Sequence, residues 1–483
     1  MSRTTHSLLL CALIGAAACS LAPDYQRPAM PSPDSWDGTE NPPARDASRP
    51  VADIPWREYF SDPGLRDVIE LGLENNRDLR IAALNVARIQ AAYRIQRADL
   101  MPAIGVQGDA NLSRLPADMS SDGRAETIEQ YSINLGTAGW ELDLFGRIRS
   151  LKDAAFERYL ATREGYRAAQ MSLISAVAGA TLTLAADREA LALAESTLAA
   201  QQASFDLIRQ SADAGVASDL DRAQAQSQVD ASRGEVASFT ALVAVDRNAL
   251  EELVGTTVPA ALIPSRVVRT TAVRDIQPDT PSAVLLERPD ILMAEHQLKA
   301  ANANIGAARA AFFPRITLTA GAGTMSNELD GLFSSGSGTW SFIPQITVPI
   351  FAGDALRAGL DASAVDREIA LNEYEKAIQS AFREVRDALA VRTSLDARLE
   401  AQESLVVSLD ESYRLSMMRF EGGIDSYLAV LVIERSRNAA QQALVQLRLA
   451  EQLNLISLYK ALGGGGLDEM VEGTDENSTY VNR

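Results

Sequence analysis

The sequence predicts an α+β membrane protein built by internal duplication, whose strands can close a barrel only together with strands from other copies. Three observations lead there. The chain repeats itself at a spacing of a little over two hundred residues, each repeat turns from helix to strand at a proline, and each contains a very long helical stretch without proline.

The repeat comes first, because every element is then read twice. Pro102 and Pro314 are 212 positions apart (314 minus 102), as are Asp78 and Asp290, and "RDLRIAALNVARIQAAYRIQRADLMPAI" tracks "PDILMAEHQLKAANANIGAARAAFFPRI". Gly215, Ser218 and Gly255 match Gly423, Ser426 and Gly463 at an offset of 208 (423 minus 215). Residues 62–262 therefore form a first repeat and 281–463 a second, joined by a linker over 263–280.

The chain opens as an export signal over residues 1–18: Arg3 supplies positive charge, Leu8 to Ala18 an apolar core, and small residues lead into Cys19. "AAAC" resembles the lipobox at which bacterial lipoproteins are cut and acylated, with Ala16 where that motif usually has Leu; ordinary cleavage nearby is the alternative. Ser20 in place of Asp points to the outer membrane. Residues 19–61 read as an extended segment rich in Pro, Ser and Asp, and 464–483 as a disordered acidic tail.

Within the first repeat a helix opens at Asp62-Pro63, an N-cap and N1 pair, and another near Asn76. The second runs to Pro102, after which apolar and polar residues alternate with period two. Four such runs are expected at Ala103–Ser113, Gln130–Gly139, Arg315–Gly323 and Ser341–Phe351, with Phe145 and Phe351 closing similar strands. Long helices follow over Arg147–Asp213 and Ala355–Glu421. At 1.5 Å per residue each would reach about 100 Å. Each turns at a glycine and returns, to Gly255 and to Gly463.

Strands of this length span a bilayer when tilted, and no segment after the signal offers the apolar run of a membrane-spanning helix. Four strands cannot close, and lipid does not tolerate open sheet edges. Two chains would give about eight strands and a filled lumen, three about twelve and room for water. Gln107, Asp109, Asn111, Thr317 and Thr319 on one face favour the wet lumen, although amphipathic strands also cover soluble cores.

Composition excludes much else. A net charge of -19 without a basic tract leaves no nucleic-acid surface. Two cysteines and two histidines provide no metal cage, and neither metal nor cofactor is expected. His6 leaves with the signal, His296 reads as a helix-surface residue, and catalytic and nucleotide-binding motifs are absent, so the chain is not read as an enzyme.

"LENNRDLRIAALNVARIQAAYRIQRADLMP", "WELDLFGRIRSL", "LLERPDILMAEHQLKAANANIGAARAAFFP" and "YEKAIQSAFREV" resemble the outer-membrane efflux lipoproteins of the OprM/NodT type and, more distantly, TolC. The resemblance covers about Tyr25 to Gly465. It implies a homotrimer with a 12-stranded β-barrel, four strands per chain, continued by a periplasmic α-helical barrel. It also implies an exit duct for small molecules such as drugs, lipid-anchored in the outer membrane of a Gram-negative bacterium. Its partners would be a periplasmic adaptor and an inner-membrane transporter of RND type. A protein-secretion duct and a periplasmic coiled-coil scaffold are the rival readings.

By the resemblance, the two helical turns form the periplasmic tip. Gly215, Val216, Gly422, Gly423 and Ile424 would contact the adaptor, and Asp219, Asp221 and Asp425 would build a threefold acidic gate, unless they only cap helices. Relatives commonly have Tyr where this chain has Phe420, which cannot donate a hydrogen bond, and Arg419 is a candidate to link to Asp219 instead. Pro102 and Pro314 would mark the helix-to-strand junctions, since proline disfavours helix in the residue before it.

Overall fold

A computed structural model describes residues 20–33, 35–36, 54–121, 123–267 and 282–464. The export signal, Cys19, most of the linker and nearly all of the tail lie outside them. In chain order the elements are α1 (Trp56–Tyr59), α2 (Pro63–Asn75), α3 (Arg77–Ala98), β1 (Gly105–Leu115), β2 (Glu126–Glu141), α4 (Arg147–Asp213), α5 (Asp219–Val254), α6 (Pro289–Ala310), β3 (Arg315–Ser326), β4 (Gly338–Thr347), α7 (Ala355–Glu421) and α8 (Tyr427–Ala461). The chain divides into two compact units.

One unit comprises residues 1–29, 85–163 and 293–375. Its four strands form one antiparallel sheet in the order β1-β2-β3-β4. The register sorts the side chains by face. Val106 lies opposite Leu135, Leu135 opposite Ala322, and Ala322 opposite Trp340. Gln107 lies opposite Asn134, and Thr317 opposite Gln345. The apolar face is open in the single chain: Val106, Leu112, Trp340, Phe342 and Ile346 are all exposed. The register shifts between Thr137 and Trp140, where Gly139 takes the left-handed conformation a bulge requires and donates its N–H to Thr319 Oγ1 at 3.0 Å. Both Pro102 and Pro314 fall between a helix and the strand that follows it.

Two strand ends differ from expectation. β2 stops at Glu141 and β4 at Thr347, so Phe145 and Phe351 lie beyond the sheet. After β2 the Asp143 carboxylate turns back to accept the N–H groups of Ile148 (3.1 Å) and Arg149 (2.9 Å), starting α4. After β4 comes Pro349, which cannot donate to a ladder.

The same unit holds the extended segment after residue 19. Asn302 and Arg309 donate to the carbonyls of Pro23 (2.7 Å) and Leu21 (3.1 Å). Gly306 permits the contact, because a Cβ there would come within 2.7 Å of the Ala22 nitrogen. Farther along, Arg27 grips Glu295 through two bonds of 3.1 and 2.6 Å, and Tyr25 donates to the same carboxylate at 3.1 Å. His296, expected on the surface, is partly buried and bonded to Glu157 at 2.6 Å.

The other unit comprises residues 30–84, 164–292 and 376–483 and contains most of the helical core. Asp62 caps α2 through Leu65 N–H (2.7 Å) and Asn76 caps α3 through Leu79 N–H (2.7 Å), as the sequence indicates. Two expectations need correction. The segment 19–61 is not wholly extended, since α1 forms one helical turn whose Tyr59 stacks on Tyr459 at 3.8 Å. The second repeat has no copy of α2 among the described residues, and a 3-10 turn, Ser282–Glu287, stands there. In addition, α4 does contain an 18-residue window apolar enough to cross a membrane. More than half of that window is buried, and Ile174, Val177, Leu182 and Leu184 belong to the core.

Duplication extends to the latches that close each repeat. Asn76 Nδ2 donates to the carbonyl of Leu253 at 2.7 Å, and Arg288 Nη1 to that of Ala461 at 2.7 Å. These partners are related by the two repeat offsets, 212 (288 minus 76) and 208 (461 minus 253). Each return helix ends at a left-handed glycine, Gly255 or Gly463.

Candidate functional site

The two hairpin turns lie in the second unit and share one backbone design. At the first, Gly215 has φ 75° and the N–H groups of Gly215 and Val216 donate to Ala212 (2.9 Å) and Ser211 (2.8 Å). At the second, Gly423 has φ 69° and the N–H groups of Gly423 and Ile424 donate to Phe420 (2.9 Å) and Arg419 (2.9 Å). These bonds satisfy the last carbonyls of α4 and α7 and need a residue free to take positive φ, which glycine supplies. Gly422 precedes that residue and bonds back to Met418 at 3.0 Å.

Both turns present aliphatic side chains to solvent at equivalent places. Val216 is 84% exposed and Ile424 67%; Leu220 is 65% exposed and Leu428 52%. Leu220 and Leu428 escaped the sequence reading, although the offset of 208 that pairs Val216 with Ile424 pairs them too (428 minus 220). Behind the turns, Ile208, Ala225, Tyr427, Val430 and Leu431 form a small core that joins the two hairpins. Phe420 packs against it, its ring 5.4 Å from Tyr427, so an apolar contact stands where a tyrosine hydroxyl would have sought a partner.

The charges are not duplicated. Asp221 and Ser218 make a capping box: the Asp221 N–H donates to Ser218 Oγ (3.2 Å), while the Ser218 N–H (3.0 Å) and hydroxyl (2.6 Å) donate to the Asp221 carboxylate. Those bonds hold the Asp221 carboxyl below its ordinary range. Asp219 pairs with Arg222 at 2.8 Å. Arg419 does not reach for Asp219; it engages Asp425 through two bonds of 2.5 and 3.0 Å, which lowers the Asp425 carboxyl. Within one chain, then, Asp219, Asp221 and Asp425 each have a local partner. Deeper, Glu434 is 4% exposed, and burial raises its carboxyl against the opposing effects of Gln201 and Arg437.

No group of three or more His, Cys, Asp and Glu side chains among the described residues is arranged to hold a metal. The described residues thus combine exposed apolar turns, paired surface charges and a sheet with two open edges.

Such a combination of an amphipathic four-stranded sheet with duplicated helical hairpins defines the class of outer-membrane channels with long helical extensions. The fold matches the open-state MtrE outer membrane channel of Neisseria gonorrhoeae at a TM-score of 0.84, with 37% identity over 92% of this chain and 98% of that one. A membrane protein from Pseudomonas aeruginosa matches at 0.87, with 40% identity over 92% and 98%. The outer membrane efflux protein family matches residues 68–256 and 280–464, and the chain belongs to that family. Among named relatives, the probable efflux pump outer membrane protein TtgC of Pseudomonas putida is 44% identical over 99% of both chains. The solvent efflux pump outer membrane protein SrpC of the same species is 46% identical over 95% of this chain and 98% of the relative.

Proposed function

We propose that three copies of this chain form the outer-membrane exit duct of a tripartite efflux pump. The observation that carries the reading is the sheet: one face apolar and exposed, the other polar, with β1 and β4 as open edges. Hydrocarbon leaves no way to satisfy those edges except closure by further strands, and three copies give twelve. The long helices continue the duct toward the periplasm, where an adaptor and an inner-membrane transporter of RND type supply substrate and energy. Cys19 carries lipid that tethers the segment held along α6. Relatives named for toluene, solvent and antibiotic efflux suggest small, largely apolar cargo.

Gly215, Val216, Gly422, Gly423 and Ile424, joined by Leu220 and Leu428, serve as the adaptor's docking turns. The Arg419–Asp425 pair braces the second turn, and Asp219 and Asp221 the start of α5, so that the tip stays narrow until the adaptor engages. Planar-bilayer recording of the purified protein tests the duct: stepwise conductance from a detergent-stable trimer is expected, and a monomer that leaves the bilayer resistance unchanged overturns the reading.

A further inference from the structure

We infer that Asp109 sets the electrostatic preference of the barrel lumen, favouring cations and repelling anions independently of the acids at the helical turns. The inference rests on the trimeric duct proposed above and extends it to a selectivity residue.

The sheet register carries the argument. Asp109 lies directly opposite Ser132, on the polar face with Gln107 and Asn134. Charged residues on that face otherwise stand only at strand ends: Glu126 opposite Leu115, Glu141 opposite Thr317, and Arg315 opposite Thr347. The Glu141 carboxylate is shared by Arg315, in an ion pair of 2.5 Å, and Arg147, which donates two bonds of 2.9 and 2.7 Å, so its charge is compensated. Asp109 is exposed, and its carboxylate accepts one bond, from Gln107 Nε2 at 3.0 Å, an amide that leaves the charge uncompensated.

Barrel closure brings no counter-charge to it. Asp109 is on β1, an edge strand, so its second neighbour in the closed barrel is β4 of another copy. The β4 sequence, GTWSFIPQIT, contains no charged residue, so no register of that seam can place a cation from β4 beside the carboxylate. Threefold symmetry sets three such carboxylates at one height. Asp219, Asp221 and Asp425 at the helical turns, by contrast, are each engaged within their own chain. A lumen wide enough for water also screens: with a Debye length of about 8 Å at physiological salt, the bias is moderate there and grows as salt is lowered.

A cysteine reporter reads this potential without passing through the helical turns. Ser132→Cys places a thiol opposite Asp109, and its reaction with cationic and anionic methanethiosulfonates is timed on the trimer in liposomes, with and without Asp109→Asn. The cationic reagent is expected to react faster, and Asp109→Asn to shift each rate about threefold in opposite directions at low salt, lowering their ratio about tenfold, as expected for a unit charge about 6 Å away in a watery medium. Asp109→Glu should preserve the ratio. An unchanged ratio in Asp109→Asn, or a thiol that neither reagent reaches, overturns the inference. Conductance of the same preparation is recorded in parallel, so a failure of the duct reading shows as absent channels and a failure of this one as intact channels with an indifferent Asp109.

Discussion

Arg288→Ala removes the latch that closes the second repeat, and its cost follows from what each lost bond leaves behind. Arg288 is 5% exposed and holds four contacts: two to Asp290 (3.0 and 2.7 Å), one to Glu384 (3.0 Å) and one to the carbonyl of Ala461 (2.7 Å). The carboxylates of Asp290 and Glu384 are 39% and 48% exposed, so water replaces the guanidinium there at little cost. The Ala461 carbonyl ends a helix in the core and has no comparable substitute, which costs about 1–3 kcal/mol. Lost packing of the buried side-chain stem adds roughly 1 kcal/mol, giving a total of about 3 kcal/mol per chain. Asn76→Ala strips the corresponding bond to Leu253 together with the cap on Leu79, and should cost about 2–3 kcal/mol. Asn76→Asp keeps the cap acceptor but turns an oxygen toward the Leu253 carbonyl, so it separates the two contributions. Denaturant melts of the detergent-solubilised protein, followed by helical circular dichroism, measure all three. If Arg288→Ala and Asn76→Ala both stay within about 0.5 kcal/mol of wild type, the range of ordinary surface changes, the repeats are not closed by these latches.

Three further outcomes are expected. Arg419→Ala frees Asp425 and unbraces the second turn, so single-channel conductance should rise, as it should in Asp219→Ala or Asp425→Ala; unchanged conductance and cation selectivity in all three would remove the turns from gating. Burial, then hydrogen bonding and repulsion from Asp246, push the Asp187 carboxyl up to about 7. The folded state therefore binds a proton that the unfolded chain, with an ordinary value of about 3.9, releases earlier, so the contribution of Asp187 to stability is full below about pH 4 and is lost as pH rises through about 7. Melts from pH 5 to 8 should show that decline, and Asp187→Asn should flatten it. Metabolic labelling with palmitate should vanish in Cys19→Ala while channel activity persists.

What the sequence made legible was whatever depends on local pattern. Asp62-Pro63 and Asn76 announced their helices because capping is local chemistry, and the change of period after Pro102 and Pro314 located the strands. The spacing of glycines placed both hairpin turns because positive φ leaves a mark in residue type. The misses needed partners distant in sequence or a local trap. Phe145 reads as a strand end until Asp143 is seen folding back to start α4, and the bulge at Gly139 depends on Thr319 across the sheet. His296 looks solitary without Glu157 of another helix. The apolar window of α4 reflects how helices pack in the core. Arg419, a candidate to link to Asp219, takes Asp425 six residues along its own hairpin instead.

In the proposed duct the open edges of the sheet close between copies, three at a time. Cysteine pairs across that seam test it most directly: Gln107→Cys on β1 combined in turn with Thr339→Cys, Ser341→Cys, Gln345→Cys or Thr347→Cys on β4, all on the polar face, oxidised in outer membranes and resolved by denaturing electrophoresis. At least one pairing should yield dimers and trimers with nothing larger. Monomers alone for every pairing, or a ladder that continues past three, would contradict a closed trimeric barrel.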